Sequence, residues 1–149
     1  MIEEGKVLDM VNFPFVLNLG RKFQSERHLF YLSEYVKGLD FYETLKSIGL
    51  LSTEDSQFYA GTIILILEYL ESMSVICRDI KPENFIVDSQ GYLKLINLPT
   101  AKIMKSDNLH SFPKTYTIIG TPHYMAPDIV IGKGYTNMVD LWSLGVCLF

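Results

Sequence analysis

The chain has 149 residues, of which 48% are hydrophobic and 20% are charged. This length suits one ordinary domain, and this composition excludes a disordered chain. Thirteen basic and 17 acidic residues leave a net charge of −4, and no Lys/Arg block offers a nucleic-acid footprint. We therefore expect no nucleic-acid partner.

From these residues we expect neither a targeting signal nor a cysteine motif. The N-terminal "MIEEGKVLDM" has no apolar core of a signal peptide. The longest apolar run, Ile63 to Leu67, is far shorter than the roughly 20 residues that cross a membrane. Cys77 and Cys147 have neither the number nor the spacing of a disulfide framework or a zinc site. We expect a cytoplasmic chain with no membrane span and two core thiols.

The first half of the chain predicts a strand and a long helix. "LFYLSEYV" (residues 29–36) is aromatic and apolar, which is typical of a buried strand. Ser52 and Asp55 resemble a capping box that opens a helix through "STEDSQFYAGTIILILEYLES". The middle of this helix is apolar nearly all round, so we expect it to be buried on every side.

The second half predicts a hairpin, a mobile connection and a final helix. "FIVD" and "YLKLI" flank the short polar "SQG", which indicates a β-hairpin. Polar residues from Lys102 to Lys114 predict a mobile connection. "VDLWSLGVCLF" predicts an apolar helix that reaches Phe149 without a cap.

Between the long helix and the hairpin lies "RDIKPEN", which has the residue types that phosphoryl transfer requires. Such a reaction needs an acceptor for the hydroxyl proton and cations on the transferring oxygens. Asp79 could take the proton, Lys81 could face the phosphate and Asn84 could ligate a metal ion. The alternative interpretation is an ordinary charged surface loop.

These motifs, with "VNFPFVLNL", "SEYVKG", "GTPHYMAPD" and "KGYTNMVDLWSLGVCLF", give the chain a family resemblance. It resembles eukaryotic protein kinases of the AGC group, especially the cyclic-nucleotide-dependent Ser/Thr kinases. The resemblance implies an α+β, partial protein-kinase-like fold: the family's helix αC with the remaining N-lobe strands, a hinge, and a helical C-lobe that stops within helix αF. Residues 1–36 would be the N-lobe remnant and hinge, and residues 37–149 an incomplete C-lobe. The family's cofactors are ATP and Mg²⁺.

The resemblance also assigns nucleotide-binding positions. Glu4 would be the helix αC glutamate that pairs with the lysine of the family's third strand, or else a solvated helix residue. Glu34 and Val36 would bound the hinge that meets adenine, and Asp40 would approach the ribose; otherwise all three are simply residues at a strand end. Ser33 takes the gatekeeper position, where a small side chain would open a back pocket, or is a tolerated serine.

Regulatory positions follow in the same way. Thr117 matches the activation-loop phosphosite, with Arg78 and Lys102 available to pair with a phosphate, or is a plain loop threonine. Thr121 would hydrogen-bond around Asp79. Asp140 would anchor the catalytic loop.

The sequence departs from the family at the metal site. Asn97, Leu98 and Pro99 stand where the family has Asp-Phe-Gly. A neutral amide such as Asn97 is a poor Mg²⁺ ligand, so we expect a degenerate metal site shared with Asn84. Leu98 can still fill an apolar site, whereas Pro99 cannot imitate glycine. The resemblance places the first residue within the family's helix αC, so we also expect this sequence to lack the Gly-rich loop and the third-strand lysine that hold the ATP phosphates.

Three interpretations remain open. The first is a truncated, catalytically deficient, pseudokinase-like polypeptide that binds proteins or peptides. The second is the internal part of a longer active kinase similar to the cGMP-dependent ones. The third is a chain that does not fold stably on its own, because its core expects layers that are not in it.

Overall fold

A computed structural model describes residues 2–104 and 113–149, with side chains from residue 5 onward. The architecture is mixed α+β, which confirms the predicted class. The helices are α1 (Ile2–Met10), α2 (Phe41–Ile48), α3 (Thr53–Ser72), α4 (Pro127–Ile131) and α5 (Met138–Leu148). The strands are β1 (Leu19–Gln24), β2 (Leu29–Ser33), β3 (Gly38–Asp40), β4 (Val75–Ile76), β5 (Phe85–Asp88), β6 (Leu93–Leu95) and β7 (Lys102–Ile103).

The described strands form three small antiparallel sheets. β1 pairs with β2, β5 lies between β3 and β6, and β4 pairs with β7. The predicted hairpin is confirmed, with Phe85 opposite Leu95 across β5 and β6. A bridge between Val16 and Leu95 ties the N-terminal segment to this hairpin.

Helix α3 begins as the sequence predicts. The Ser52 hydroxyl accepts a hydrogen bond of 3.0 Å from the Asp55 N–H and so caps the first turn. Ile63, Ile66 and Leu70 enter the main core from this helix. The prediction of burial on every side is wrong, because Phe58, Ile64 and Leu65 on other faces are 43–48% exposed. The described elements cover those faces only in part.

The predicted buried strand over residues 29–36 is also wrong in part. The strand ends at Ser33, and Phe30 and Leu32 are 53% and 55% exposed. Its only described strand partner is β1, so this two-stranded ribbon has no second layer over these side chains. Aromatic and β-prone composition therefore identified the strand but not its exposure.

The predicted mobile connection begins with regular structure. Lys102 and Ile103 form β7, and Ile103 pairs with Val75 of β4. Residues 105–112 of this predicted connection lie outside the described residues. In the described part, no helix combines the length and the apolar character needed to cross a bilayer.

Candidate active site

The loop from Cys77 to Asn84 starts directly after β4 and is held in place by α5. Asp140 of α5 accepts hydrogen bonds from the backbone N–H groups of Cys77 (2.8 Å) and Arg78 (2.7 Å). Arg78 has φ of 68°, a left-handed conformation that costs free energy in a residue other than glycine. Burial raises the pKa of Asp140 to about 6, although both N–H hydrogen bonds act in the opposite direction. The predicted anchoring role of Asp140 is confirmed.

The three predicted catalytic residues lie together in this loop. Asp79 is buried, and its Oδ1 accepts hydrogen bonds from the Thr121 N–H (3.0 Å) and hydroxyl (2.6 Å). Lys81 Nζ lies 3.3 Å from Asp79 Oδ2 and donates to the Thr121 hydroxyl oxygen at 2.7 Å. Asn84 Nδ2 donates to the Asp79 carbonyl oxygen at 2.7 Å. Thr121 therefore bonds to Asp79 as expected, while the catalytic roles of Asp79, Lys81 and Asn84 stay predictions.

A glycine lets the segment before Thr121 approach the catalytic loop closely. Gly120 has φ of 123°, and a Cβ built on it would lie 2.6 Å from the Arg78 carbonyl oxygen. No real side chain tolerates that distance to backbone, so both the conformation and the space require glycine here.

The predicted metal position contains amides rather than carboxylates. The Ile96 N–H donates to the Asn84 carbonyl oxygen at 2.9 Å. Asn97 therefore directly follows a residue that is bonded to Asn84. Asn97 and Pro99 are exposed, whereas Leu98 is 2% exposed and packs in the main core. Leu98 thus fills an apolar site, as expected.

This donor set does not fit Mg²⁺. Magnesium in proteins is held by carboxylates together with substrate phosphates. Within residues 2–104 and 113–149, no group of three His, Cys, Asp or Glu side chains could hold a metal ion. The carboxylate of Asp79 is already engaged by Thr121 and Lys81. Asn84 and Asn97 alone offer only neutral oxygens.

The predicted hinge is hydrogen-bonded to the β5–β6 hairpin. Glu34 accepts hydrogen bonds from the Asn18 N–H (2.7 Å) and from Lys94 Nζ of β6 (2.6 Å). Burial raises the pKa of Glu34, but the hydrogen bonds from Lys94 and Asn18 outweigh this and leave the pKa below its usual value. Val36 follows, half-buried. No local pattern signals the Glu34–Lys94 pair, because it joins residues 60 positions apart.

The other predicted nucleotide-binding residues, Glu4 and Asp40, belong to different elements. Asp40 caps helix α2, and its Oδ1 accepts from the Glu43 N–H at 3.1 Å. The backbone of Glu4 belongs to α1, but its side chain lies outside the described residues. Their roles toward a nucleotide stay predictions.

The predicted gatekeeper borders a cavity. Ser33 lies at the end of β2, beside a space of about 130 Å³ between α1, the sheet ribbon and the segment after β6. Apart from Ser33, its walls are formed by Leu8, Leu17, Leu19, Tyr31, Ile96 and Leu98.

The regulatory residues have other partners in this structure. Arg78 Nε donates to the Thr100 carbonyl oxygen at 2.7 Å, and Lys102 Nζ donates to the Thr115 hydroxyl at 3.0 Å. Thr117 is exposed, and its carbonyl oxygen accepts from the Tyr135 hydroxyl at 2.6 Å. A phosphate role for Thr117, Arg78 and Lys102 stays a prediction.

Sequence reasoning missed the backbone pairing of Thr115 with Tyr135, two residues before Thr117. Thr115 is buried and forms an isolated antiparallel bridge with Tyr135. No local pattern signals it, because the contact joins two loops that only the tertiary fold brings together.

The thiols have no reactive setting. Cys77 is buried, and burial followed by the nearby Asp140 carboxylate raises its pKa well above the usual value. Burial raises the pKa of Cys147 to about 12. A reactive cysteine needs a lowered pKa. Cys77 is therefore a core thiol as predicted, and Cys147 is a partly buried one.

The α+β fold, the loop held by Asp140 and the hairpin that follows agree with the resemblance to protein kinases. The family model for the protein kinase domain matches residues 1–149. The chain belongs to the protein kinase family.

Known relatives refine this placement. The chain is 46% identical over 136 residues to a cGMP-dependent protein kinase of Plasmodium berghei, which covers 91% of this chain and 15% of that protein. A cGMP-dependent protein kinase of Toxoplasma gondii is 42% identical over 98% of this chain and 14% of its own length. A cAMP-dependent protein kinase catalytic subunit of Dictyostelium discoideum is 37% identical over 98% of this chain and 22% of its own length. These relatives confirm the resemblance to cyclic-nucleotide-dependent kinases, although the chain spans only about a seventh of the first two.

Proposed function

We propose that this chain is a kinase-related module that has lost Mg²⁺-dependent phosphoryl transfer and acts by binding a protein or peptide. The proposal rests mainly on one substitution: Asn97, an exposed amide, stands in the position of the family's metal-binding carboxylate. Pro99, two residues on, adds a fixed φ and removes an N–H where the family has glycine.

The sizes of the separate catalytic contributions favour loss of activity. A positioned proton acceptor contributes on the order of 10²- to 10⁴-fold to a rate. Asp79 can supply that only to a phosphate that is already positioned and charge-compensated. Electrostatic stabilisation and positioning dominate phosphoryl transfer, and the metal ions carry much of both. An intact Asp79 therefore does not compensate for a metal site without a carboxylate.

Phosphoryl-transfer assays test this proposal. We expect no Mg²⁺- and ATP-dependent phosphorylation of the protein itself or of a basic Ser-containing peptide. Asp79→Ala serves as the matched control, and the background phosphorylation measured with it should equal that of the unaltered chain. Phosphorylation by the unaltered chain that disappears in Asp79→Ala would overturn the proposal.

A second candidate function is phosphoryl transfer to protein Ser/Thr by a longer cGMP-dependent-like kinase of which this is the internal part. One observation favours it: hydrogen bonds hold the candidate proton acceptor in a defined position. They join Asp79, Lys81, Asn84 and Thr121. An increase in melting temperature with ATP that requires Mg²⁺ would support this candidate. An unchanged melting curve would count against it.

A cytoplasmic setting is part of the first proposal. Its support is the resemblance to cyclic-nucleotide-dependent kinases. Imaging of the tagged protein in its own cell tests this setting, and a secreted or membrane-bound signal would contradict it.

A further inference from the structure

Two adjoining cavities lie between the second half of α3 and the start of α5. One, of about 230 Å³, lies between the two helices, and the other, of about 140 Å³, extends past β4 toward Met104. Both are bordered by Glu71, Val75 and Asn137, so the two cavities lie side by side along one surface groove. We call it the α3–α5 groove and define it by Ile64, Glu68, Glu71, Val75, Asn137 and Leu141.

The groove has an exposed apolar component. Ile64 and Leu141, which line the larger cavity, are each 43% exposed. Single exposed apolar residues are ordinary, but apolar residues lining a depression with a polar rim mark contact sites. The groove therefore has the surface character of a site that binds another molecule.

Among the described residues that line the groove, all charge is of one sign. Glu68 and Glu71 are exposed and make no ion pair with any described residue. The residues that line the two cavities include no Lys or Arg. Helix α3 itself has four acidic residues and no basic one. A ligand with positive charge next to apolar groups would complement this surface.

The size of the cavities indicates what kind of ligand fits. Small-molecule sites are typically about 300–1,000 Å³, and each of these cavities is smaller. Two adjacent small cavities suit successive apolar side chains of one peptide segment, as when an amphipathic helix lies in a groove.

A second copy of this chain is a poorer occupant. Two-fold pairing through the groove would bring the same acidic surface of each copy together. The net charge of −4 adds to that repulsion.

We propose that the α3–α5 groove binds an amphipathic segment of a partner protein, with apolar side chains in the two cavities and Lys or Arg side chains on Glu68 and Glu71. The proposal does not depend on whether the catalytic loop is active, because neither glutamate belongs to that loop.

Fluorescence anisotropy with two labelled peptides tests the proposal. The first peptide has Leu at helical spacing on one face and Lys on the other, and the second has Glu in place of every Lys. Binding is measured on the full chain, on Glu68→Gln/Glu71→Gln, and on the matched control Glu54→Gln/Glu26→Gln. The control removes the same charge from exposed residues outside the groove.

We expect the Lys peptide to bind and the Glu peptide not to bind. Each exposed ion pair contributes a factor of about 1.4 to five, so loss of both pairs in the groove variant should weaken binding about two- to 25-fold, and the control should not weaken it. Added salt should weaken binding to the unaltered chain more than to the groove variant.

Three results would overturn the proposal. They are no binding of the Lys peptide, equal weakening in the groove and control variants, and equally tight binding of the Glu peptide. Concentration-dependent dimerisation of the chain that Ile64→Ser/Leu141→Ser abolishes would assign the groove to a second copy instead.

Discussion

The carboxylate of Asp140 accepts a hydrogen bond from the backbone N–H of Arg78 at 2.7 Å, and this contact joins helix α5 to the catalytic loop. The same carboxylate accepts from Cys77 N–H, so both of its oxygens hold the loop. The left-handed conformation of Arg78 is maintained by a side chain 62 residues further along the chain.

Replacing Asp140 by asparagine should lower the free energy of unfolding at pH 7.5. Asparagine has one acceptor oxygen, so its NH₂ group would face a backbone N–H that loses its partner. An unsatisfied buried donor costs about 1–3 kcal/mol. Urea denaturation measures the loss. Asp128→Asn, at an exposed position in α4, is the control and should change the free energy by less than about 0.5 kcal/mol; equal losses in both variants would contradict this account.

The raised pKa of Asp140 predicts how stability depends on pH. The folded-state pKa is about 6 and the ordinary value is 3.8, so the folded state binds the proton more tightly than the unfolded state does. The stabilisation from this group is therefore fully present below pH 3.8 and is lost as pH rises to about 6. The free energy of unfolding of the unaltered chain minus that of Asp140→Asn should therefore be larger at pH 4 than at pH 7, and should stay positive at pH 7 because asparagine leaves one backbone N–H without its acceptor. A difference that stays constant from pH 4 to pH 7 would rule out the raised pKa.

Thr121→Val should destabilise the site, and Thr121→Ser should not. Valine keeps the shape but removes the hydroxyl that donates to Asp79 and accepts from Lys81. Loss of a hydrogen bond to a charged group costs about 1.5–3 kcal/mol. Serine retains the hydroxyl, so its free energy of unfolding should stay within about 0.5 kcal/mol of the unaltered value. Equal behaviour of the two variants would show that the hydroxyl makes no contribution.

Leu98→Ala tests whether the altered metal motif still has a packing role. Leu98 is 2% exposed in the main core, so the truncation should leave a cavity and cost about 2–5 kcal/mol. Leu50→Ala is the control, because Leu50 is 98% exposed and should lose almost nothing. Thermal unfolding followed by circular dichroism measures both.

A sharp transition in the unaltered chain would also exclude the interpretation that it does not fold.

The sequence predicted local features better than their surroundings. The capping of α3 by Ser52 and the β5–β6 hairpin follow from short-range chemistry, and both are present. The exposure of Leu65 and Phe30 was missed, because composition does not say which neighbouring layers a chain contains.

The same division holds within the candidate site. The spacing in "RDIKPEN" and the family resemblance identified the cluster of Asp79, Lys81 and Asn84. The contacts of Lys94 with Glu34 and of Lys102 with Thr115 were missed. Each depends on the register between distant segments, which no local pattern encodes.

Binding of Mn²⁺, a paramagnetic substitute for Mg²⁺, tests the central claim most directly, since the claim is that this site lacks the carboxylate a metal requires. Electron paramagnetic resonance of free Mn²⁺, titrated with protein in the presence of ATP, should show no metal uptake beyond that of ATP alone. Asn97→Asp/Pro99→Gly, which restores the family's carboxylate and glycine, should show a gain. Tight Mn²⁺ uptake by the unaltered chain that Asn97→Ala abolishes would contradict the account.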